Sequence, residues 1–468
     1  MTNYKLVVGL EIHVQINIQE KAFSVETYEC NAIPNSQTGL WSYACPGVMP
    51  SLSYQLIASA IKLGSVFSSD ISNEIYFSRK NYFYPDMPKA YQLTQTNPIC
   101  KGGYLRVFRS DKTFFNVDFK EVHIEEDSAK SNHNQKSSNL DFNRSGVALL
   151  EIVTEPDIYS SADAKDFLNE LKRNIQFLQI SECEMEKGSL RCDVNVSVIS
   201  ENHKYPRTEI KNLNSFSAVK KAIEIEYNRQ CNLISLGNDL KEETLVYDAR
   251  NKKTFSIRQK GEFMDYRFLP ENDILPILIT EEDICALIQI EGKMYADYFS
   301  SLIYKYQISY LRSREICQKK EYVELVLYFI EKGFEPKLVI KVLFGVLKDL
   351  IFCNNSEVYI DELESFLMNL EQSQVSDYIL KKVFSARISR KDKLTNLLNE
   401  FIKEEKVPIF EEQKIILSKY LLYNFPEEIN RYKAGEKKLL GFFIGKIRHI
   451  DGVEIDPSKI RVLLEEIL

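Results

Sequence analysis

Polar residues recur at every second position in several short stretches of the first half of the chain. In LVVGLEIHVQI, Glu11, His13 and Gln15 fall two apart, so a strand shows them on one face and Leu10, Ile12 and Val14 on the other. The same alternation groups His123, Glu125 and Asp127 in VHIEEDSAK, and Arg191, Asp193, Asn195 and Ser197 in LRCDVNVSV. Glu151 interrupts the otherwise apolar strand of GVALLEIVTEPD, and RTEIKNLN sets Glu209 beside Lys211. Helical spacing is present too. Ser160 with Asp163 opens a stripe of Ala164, Phe167 or Leu168, Leu171, Ile175 and Leu178, and Ser215 or Ser217 caps a helix that ends before Gly237.

Past about residue 290 the alternation gives way to plain amphipathic helices. Pro336 opens a run with Val339, Leu343, Val346, Leu347 and Leu350 at helical spacing, which reads as core. The chain closes on Asp456-Pro457, a cap and first-turn proline ahead of Ile460, Leu463, Leu464 and Ile467. Mixed strands and helices followed by helices alone predict an α+β fold.

Composition narrows the class. A net charge of −7 with 27% charged and 44% hydrophobic residues matches globular averages and excludes disordered, collagen-like and coiled-coil chains. The acidic excess does not suit a chain that coats nucleic acid over its whole surface, though it leaves room for a local basic patch. The nine cysteines are odd in number, scattered and never spaced Cys-x-x-Cys, so neither a disulfide framework nor a zinc ribbon is expected. No apolar stretch is long enough to span a membrane, and Glu11 and His13 interrupt the first apolar run too early for a signal peptide. A cytoplasmic location is expected.

Several strands thus aim carboxylates and an imidazole at one polar surface. Crowded carboxylates repel unless a cation lies among them, and oxygens with one imidazole suit Mg²⁺ or Mn²⁺ better than zinc. Such ions complete their shells with water and nucleotide phosphates, which points to metal-assisted phosphoryl transfer or a related reaction. The run FSRKNYFYPDMPKAYQLTQ packs Arg79, Lys80, Tyr82, Phe83, Tyr84 and Tyr91 between cations and prolines. It suits either phosphate contact with base stacking or a loop whose aromatics plug a core edge. No P-loop, dinucleotide-binding glycine turn or nucleophile elbow is present.

VVGLEIHVQI, RKNYFYPDMPKAYQ, HIEEDSAK, DFNRSGVALLEIVTEPD, the pair ECEMEKGSLRCDVNVSV and TEIKNLNSF, and DYRF together resemble the B subunits of the bacterial Glu-tRNA(Gln)/Asp-tRNA(Asn) amidotransferases. The segments occur in that family's order between residues 5 and 268, and AGEKKLLGFFIGKI resembles its tail more weakly. The resemblance implies a β-sheet-based cradle domain over residues 1–290, a helical domain over 291–398 and a small helical tRNA-binding tail over 399–468. It also implies phosphorylation of the side-chain carboxylate of Glu or Asp misacylated on tRNA, with ATP and Mg²⁺. Ammonia from a glutaminase partner then displaces the phosphate. The implied partners are tRNA(Gln) or tRNA(Asn), the large amidase (glutaminase), which is the A subunit, plus the small C subunit.

By motif match, Glu11, His13, Glu125 and Glu151 are expected to hold Mg²⁺ and carry catalysis, with Asp193 a further member. Arg79, Lys80 and Lys211 are the expected phosphate or carboxylate contacts, Tyr82 and Tyr84 the stacking pair, and Asn195 and Asn212 the residues that order the acceptor end. Arg191 is expected to neutralise Asp193 or Glu209, and Arg267 serves either structure or substrate. In the tail, Lys437, Lys438, Lys446 and Arg448 suit contact with tRNA phosphates.

The chain departs from the family in one place. Many members carry four cysteines, spaced for zinc, before the proline-glycine pair. Alignment on KAF, Pro34-Asn35 and Pro46-Gly47 puts Ser24, Glu26, Gly39 and Ser42 at those positions, so structural zinc is not expected and packing must hold the segment instead. A catalytically inactive tRNA-binding scaffold is the alternative reading, and the intact carboxylate set argues against it. A relative with an extra domain inserted in the cradle is disfavoured because the motifs leave no room for one.

Overall fold

The computed structural model describes residues 4–133, 137–201, 203–259, 266–291, 294–352, 359–373, 375–405, 411–447 and 464. Two compact units emerge, Met1–Tyr322 and Val323–Leu468. The first is built on an eleven-stranded sheet. Its principal strands are β1 (Lys5–Gln15), β2 (Phe114–Glu126), β3 (Ala148–Thr154), β4 (Leu190–Ser200), β5 (Thr208–Lys211), β6 (Glu243–Asp248) and β7 (Lys253–Gln259). They lie in the order β7-β6-β5-β4-β1-β3-β2, continued by Cys100–Lys101 and Asp70–Ile71 at the far edge. Only β5 and β6 run parallel within this path.

The first strand lies mid-sheet, and its alternation is realised as expected. Val8, Leu10, Ile12 and Val14 are at most 1% exposed, while Glu11, His13 and Gln15 stay partly open on the opposite face. The apolar face joins one core with helices α1 (Tyr54–Phe67), α2 (Ser161–Phe177) and α3 (Phe216–Ser235). Each aliphatic or aromatic side chain fully buried there contributes roughly 1.5–3 kcal/mol. Helices pack on one side of the sheet and leave the polar side of the same strands facing away from them.

Local signals set the helix starts. The Ser160 hydroxyl accepts from the Asp163 amide at 2.9 Å, and Ser215 does the same for Ala218 at 3.0 Å, which selects Ser215 over Ser217. The stripe from Ala164 to Leu178 is buried, Phe167 and Leu168 alike. Helix α1 escaped the sequence reading because no side chain caps its first turn.

In the second unit Pro336 does begin a helix, Pro336–Lys341, but a π turn over Val342–Val346 widens it before Lys348–Phe352. Val339, Leu343 and Leu347 are buried as the stripe requires. A smaller cluster of Leu417, Leu421, Ile429, Tyr432, Phe443, Ile447 and Leu464 forms near the end of the chain. The final-helix start at Asp456-Pro457 lies outside the described residues. Among the described residues, no helix is long and apolar enough to cross a membrane.

The segment before α1 is held by more than packing. Lys21, 1% exposed, directs its ammonium to Glu26 and Ser42 at 3.0 and 2.9 Å.

Candidate active site

The antiparallel register brings the chemistry together. His13 lies opposite Glu151 on β3 and Arg191 on β4, Glu11 lies opposite Asp193, and Glu151 lies opposite His123 on β2. One ligating atom each from Glu11, His13 and Glu151 falls within 4.8 Å of the others. His13 Nε2 is 3.6 Å from Glu125 Oε2 and 4.0 Å from Glu151 Oε1. Glu125, 4% exposed, accepts from Thr94 Oγ1 at 2.9 Å and from Gln92 Nε2 at 3.4 Å.

Three carboxylates round one imidazole perturb each other. Burial alone would lower the pKa of His13, yet its hydrogen bond to Glu125 and the charges of Glu125, Glu151 and Glu11 raise it from 6.5 to about 9. Burial opposes ionisation of Glu125, but His13 and the Lys80 charge hold that carboxyl well below the usual range. Glu151 goes the other way, raised by burial and by the neighbouring Glu125 charge.

The outer members are arranged differently from expectation. Arg191 does not pair with Asp193 or Glu209: it shares the buried Asp127 with Arg144, because Lys211 already binds Asp193 at 2.5 Å and Glu209 at 2.9 Å. Asp193 therefore stands outside the three-residue ligand cluster, one strand over and paired with an ammonium. Asp127 itself follows the end of β2, where Glu125, Glu126 and Asp127 are all buried and the expected alternation breaks down. His123 points its Nδ1 at the Gln95 carbonyl, 3.1 Å away.

The cation–aromatic run folds into a ledge beside the cluster. Arg79 is gripped by Glu271 at 2.7 and 2.8 Å and by Asp273 at 3.1 Å, so its guanidinium is committed to protein carboxylates. The Lys80 ammonium lies 5.0 Å over the Tyr266 ring, Tyr82 and Tyr84 stack on one another with centroids 5.6 Å apart, and Arg267 lies 5.8 Å over Phe83. Tyr84 is 63% exposed, a ring face open for stacking. Asn195 lies half-buried on β4 opposite Glu209, and Asn212 adopts a positive φ of 64° with its amide 3.4 Å from the Tyr247 carbonyl.

Sequence reading overlooked the support beneath Glu125. Lys89 binds the fully buried Glu126 at 2.6 Å, and Gln92 bridges Glu125 to the Glu126 carbonyl. Lys89 and Gln92 lie in the proline-punctuated run and Arg144 in DFNRSG, so the motifs contained them, but long-range pairing carries no local periodicity. In the tail, Lys437, Lys438 and Lys446 are exposed, with Lys437 over Tyr432 and Lys446 over Phe425 and Phe442. Arg448 lies outside the described residues.

Residues 6–285, which hold the whole cluster, match the GatB/GatE catalytic domain model. The chain belongs to the GatB/GatE family. Residues 325–468 match the model of the GatB domain as well. Relatives named as the B subunit of aspartyl/glutamyl-tRNA(Asn/Gln) amidotransferase align end to end. The one from Crocosphaera subtropica is 34% identical, covering 100% of this chain and 98% of its own length. Those from Persephonella marina and Wolbachia pipientis wMel are 32% and 33% identical, with 99% of this chain covered in each case and 99% and 98% of their own lengths. In this GatB/GatE chain the donor set of Glu11, His13, Glu151 and neighbouring Glu125 fits a hard divalent cation, being oxygen-rich and crowded.

Proposed function

We propose that this chain is the B subunit of a tRNA-dependent amidotransferase, and that its first unit phosphorylates the side-chain carboxylate of Glu-tRNA(Gln), Asp-tRNA(Asn) or both with ATP. The observation that carries this reading is the convergence of Glu11, His13, Glu125 and Glu151 on one face of the sheet within the catalytic-domain match. A carboxylate is a poor acceptor of ammonia because oxide would have to leave. Attack of the carboxylate oxygen on the γ-phosphorus releases ADP and gives an acyl phosphate. Ammonia then forms the amide as inorganic phosphate departs.

Glu11, His13, Glu125 and Glu151 hold Mg²⁺ in this scheme, and the ion, when bound, neutralises charge on phosphate oxygens. Lys211 and the Arg191–Arg144 pair, fixed by Asp193 and Asp127, orient anionic groups beside the cluster. Tyr84 offers a stacking face to the terminal adenosine or to ATP. The ammonia comes from a separate glutaminase, a small third protein completes the cytoplasmic ligase complex, and the basic tail holds the tRNA body.

The test is Mg²⁺-dependent release of ATP γ-phosphate by the chain with its partners, comparing charged with uncharged tRNA. Stimulation by charged tRNA only, lost in Glu125→Ala, supports the reading. Charged tRNA that binds without phosphate release under any condition sinks it in favour of a scaffold.

A further inference from the structure

The four positions at which relatives carry zinc-spaced cysteines converge in space, although none holds sulfur. The Ser24 hydroxyl accepts from the Glu26 amide at 3.4 Å, and Glu26 Oε1 accepts from the Ser42 amide at 3.1 Å. A Cβ built on Gly39 would stand 2.7 Å from Glu26 Oε1, so the carboxylate occupies the volume a side chain at position 39 would enter. The donors left at these positions are two hydroxyls and one carboxylate. That set offers neither thiolate nor imidazole, and Cys30 and Cys45 are not among the converging positions.

A cation is present all the same, and it is covalently part of the chain. The side chain of Lys21 is fully buried, with Nζ 3.0 Å from Glu26 Oε2, 2.9 Å from Ser42 Oγ and 3.5 Å from the Phe142 carbonyl. Three acceptors match the three protons of an ammonium. We infer that the Lys21 ammonium with Glu26 and Ser42 performs the cross-linking that zinc and thiolates perform in relatives, so that this segment folds without a metal. The clasp joins the hairpin of Glu20–Lys21 and Ser24–Thr27 to the loop at Ser42 and, through the Phe142 carbonyl, to the turn that ends in Arg144.

Its position extends the consequence beyond local stability. Trp41, next to Ser42 and 5% exposed, covers the Lys89 ammonium at 4.3 Å, and Lys89 binds Glu126 beside Glu125. Gly146, at φ +83°, lets the Lys21 chain pass: a Cβ there would be 3.4 Å from Lys21 Cδ and 3.8 Å from Glu126 Oε2. Lys21 therefore packs close to the buried Glu126 that Lys89 binds. A buried pair of this kind is strongly destabilised by removal of one partner, because the other charge is left unmatched.

The experiment uses the full chain and does not depend on the reaction. Elemental analysis of purified protein should find zinc well below one equivalent, and a zinc-selective chelator should leave the melting temperature unchanged. Glu26→Gln and Lys21→Met should each lower it by several degrees, and the double variant should lose far less than the sum of the two. Replacing Ser24, Glu26, Gly39 and Ser42 together with cysteine should create uptake of about one zinc per chain. Stoichiometric, chelator-sensitive zinc in the wild-type chain overturns the inference. So do single variants that melt like the wild type, or a folded four-thiol chain that takes no zinc.

Discussion

Divalent cation binding at the carboxylate cluster should release protons, and its affinity should climb with pH. His13 is raised to about 9 by Glu125, Glu151 and Glu11, so below that pH the cation-free site carries an imidazolium where a neutral ligand is needed. The rise from 6.5 corresponds to roughly 3 kcal/mol between the two protonation states. Displacing that proton makes the apparent association constant grow about tenfold per pH unit between roughly pH 6.5 and 9, and a proton shared by Glu151 steepens the rise. Mn²⁺ titration calorimetry in buffers of different ionisation enthalpy counts the protons released, and His13→Gln should remove at least one. Without a cation the sign reverses. The raised pKa of His13 adds stability that is fully present below pH 6.5 and is lost as pH rises through about 9, and Glu151 adds a loss in the same direction. An Mn²⁺ affinity that is flat from pH 6.5 to 8.5 would refute this account of the cluster.

Other perturbations reach different parts of the molecule. Glu125→Ala should abolish charged-tRNA-stimulated phosphate release while tRNA binding, read by filter retention, stays within a few-fold; equal loss of both counts against a cation-holding role. Asp127→Asn strips Arg144 and Arg191 of their shared counter-charge and should cost about 1–3 kcal/mol in urea denaturation, because both arginines keep some solvent while Asp127 is buried; a change well under about 1 kcal/mol would mean that solvent already screens the pair. Lys437→Gln with Lys438→Gln should flatten the salt dependence of tRNA binding by roughly 0.7–0.9 in log–log slope for each phosphate no longer neutralised, and an unchanged slope removes these lysines from the tRNA interface. Ser160→Ala should cost about 1 kcal/mol through the missing cap on α2, measured by thermal melting.

What the sequence made legible was whatever repeats at short range. Period-two spacing put Glu11 and His13 on one face of β1, and capping residues placed the starts of α2 and α3. The meeting of Glu11, His13 and Glu151 was only partly accessible: alternation put Glu11 and His13 on one face, whereas Glu151 interrupts an apolar strand and only the pairing of β1 with β3 sets it opposite His13. Pairings across the fold were not accessible. Arg191 turns to Asp127, sixty-four residues away, because Lys211 has already taken Asp193, and Arg79 reaches Glu271 one hundred and ninety-two residues on. The clasp at Lys21 was half visible: the sequence shows no thiols at positions 24, 26, 39 and 42, whereas the ammonium between Glu26 and Ser42 is a contact with no local period.

The place of β1 in the sheet has a kinetic meaning. Both its edges are hydrogen-bonded, to β3 and to β4, and its inner residues are sealed from water. Such a strand opens only when the whole unit opens, so its amides should be among the slowest in the chain to exchange with deuterated solvent. Glu11 and His13 are therefore held in place by the sheet itself, whereas Tyr82, Phe83 and Tyr84 are carried on a loop. Opening of the sheet and rearrangement at the surface are thereby assigned to different parts of the same unit, with different exchange rates.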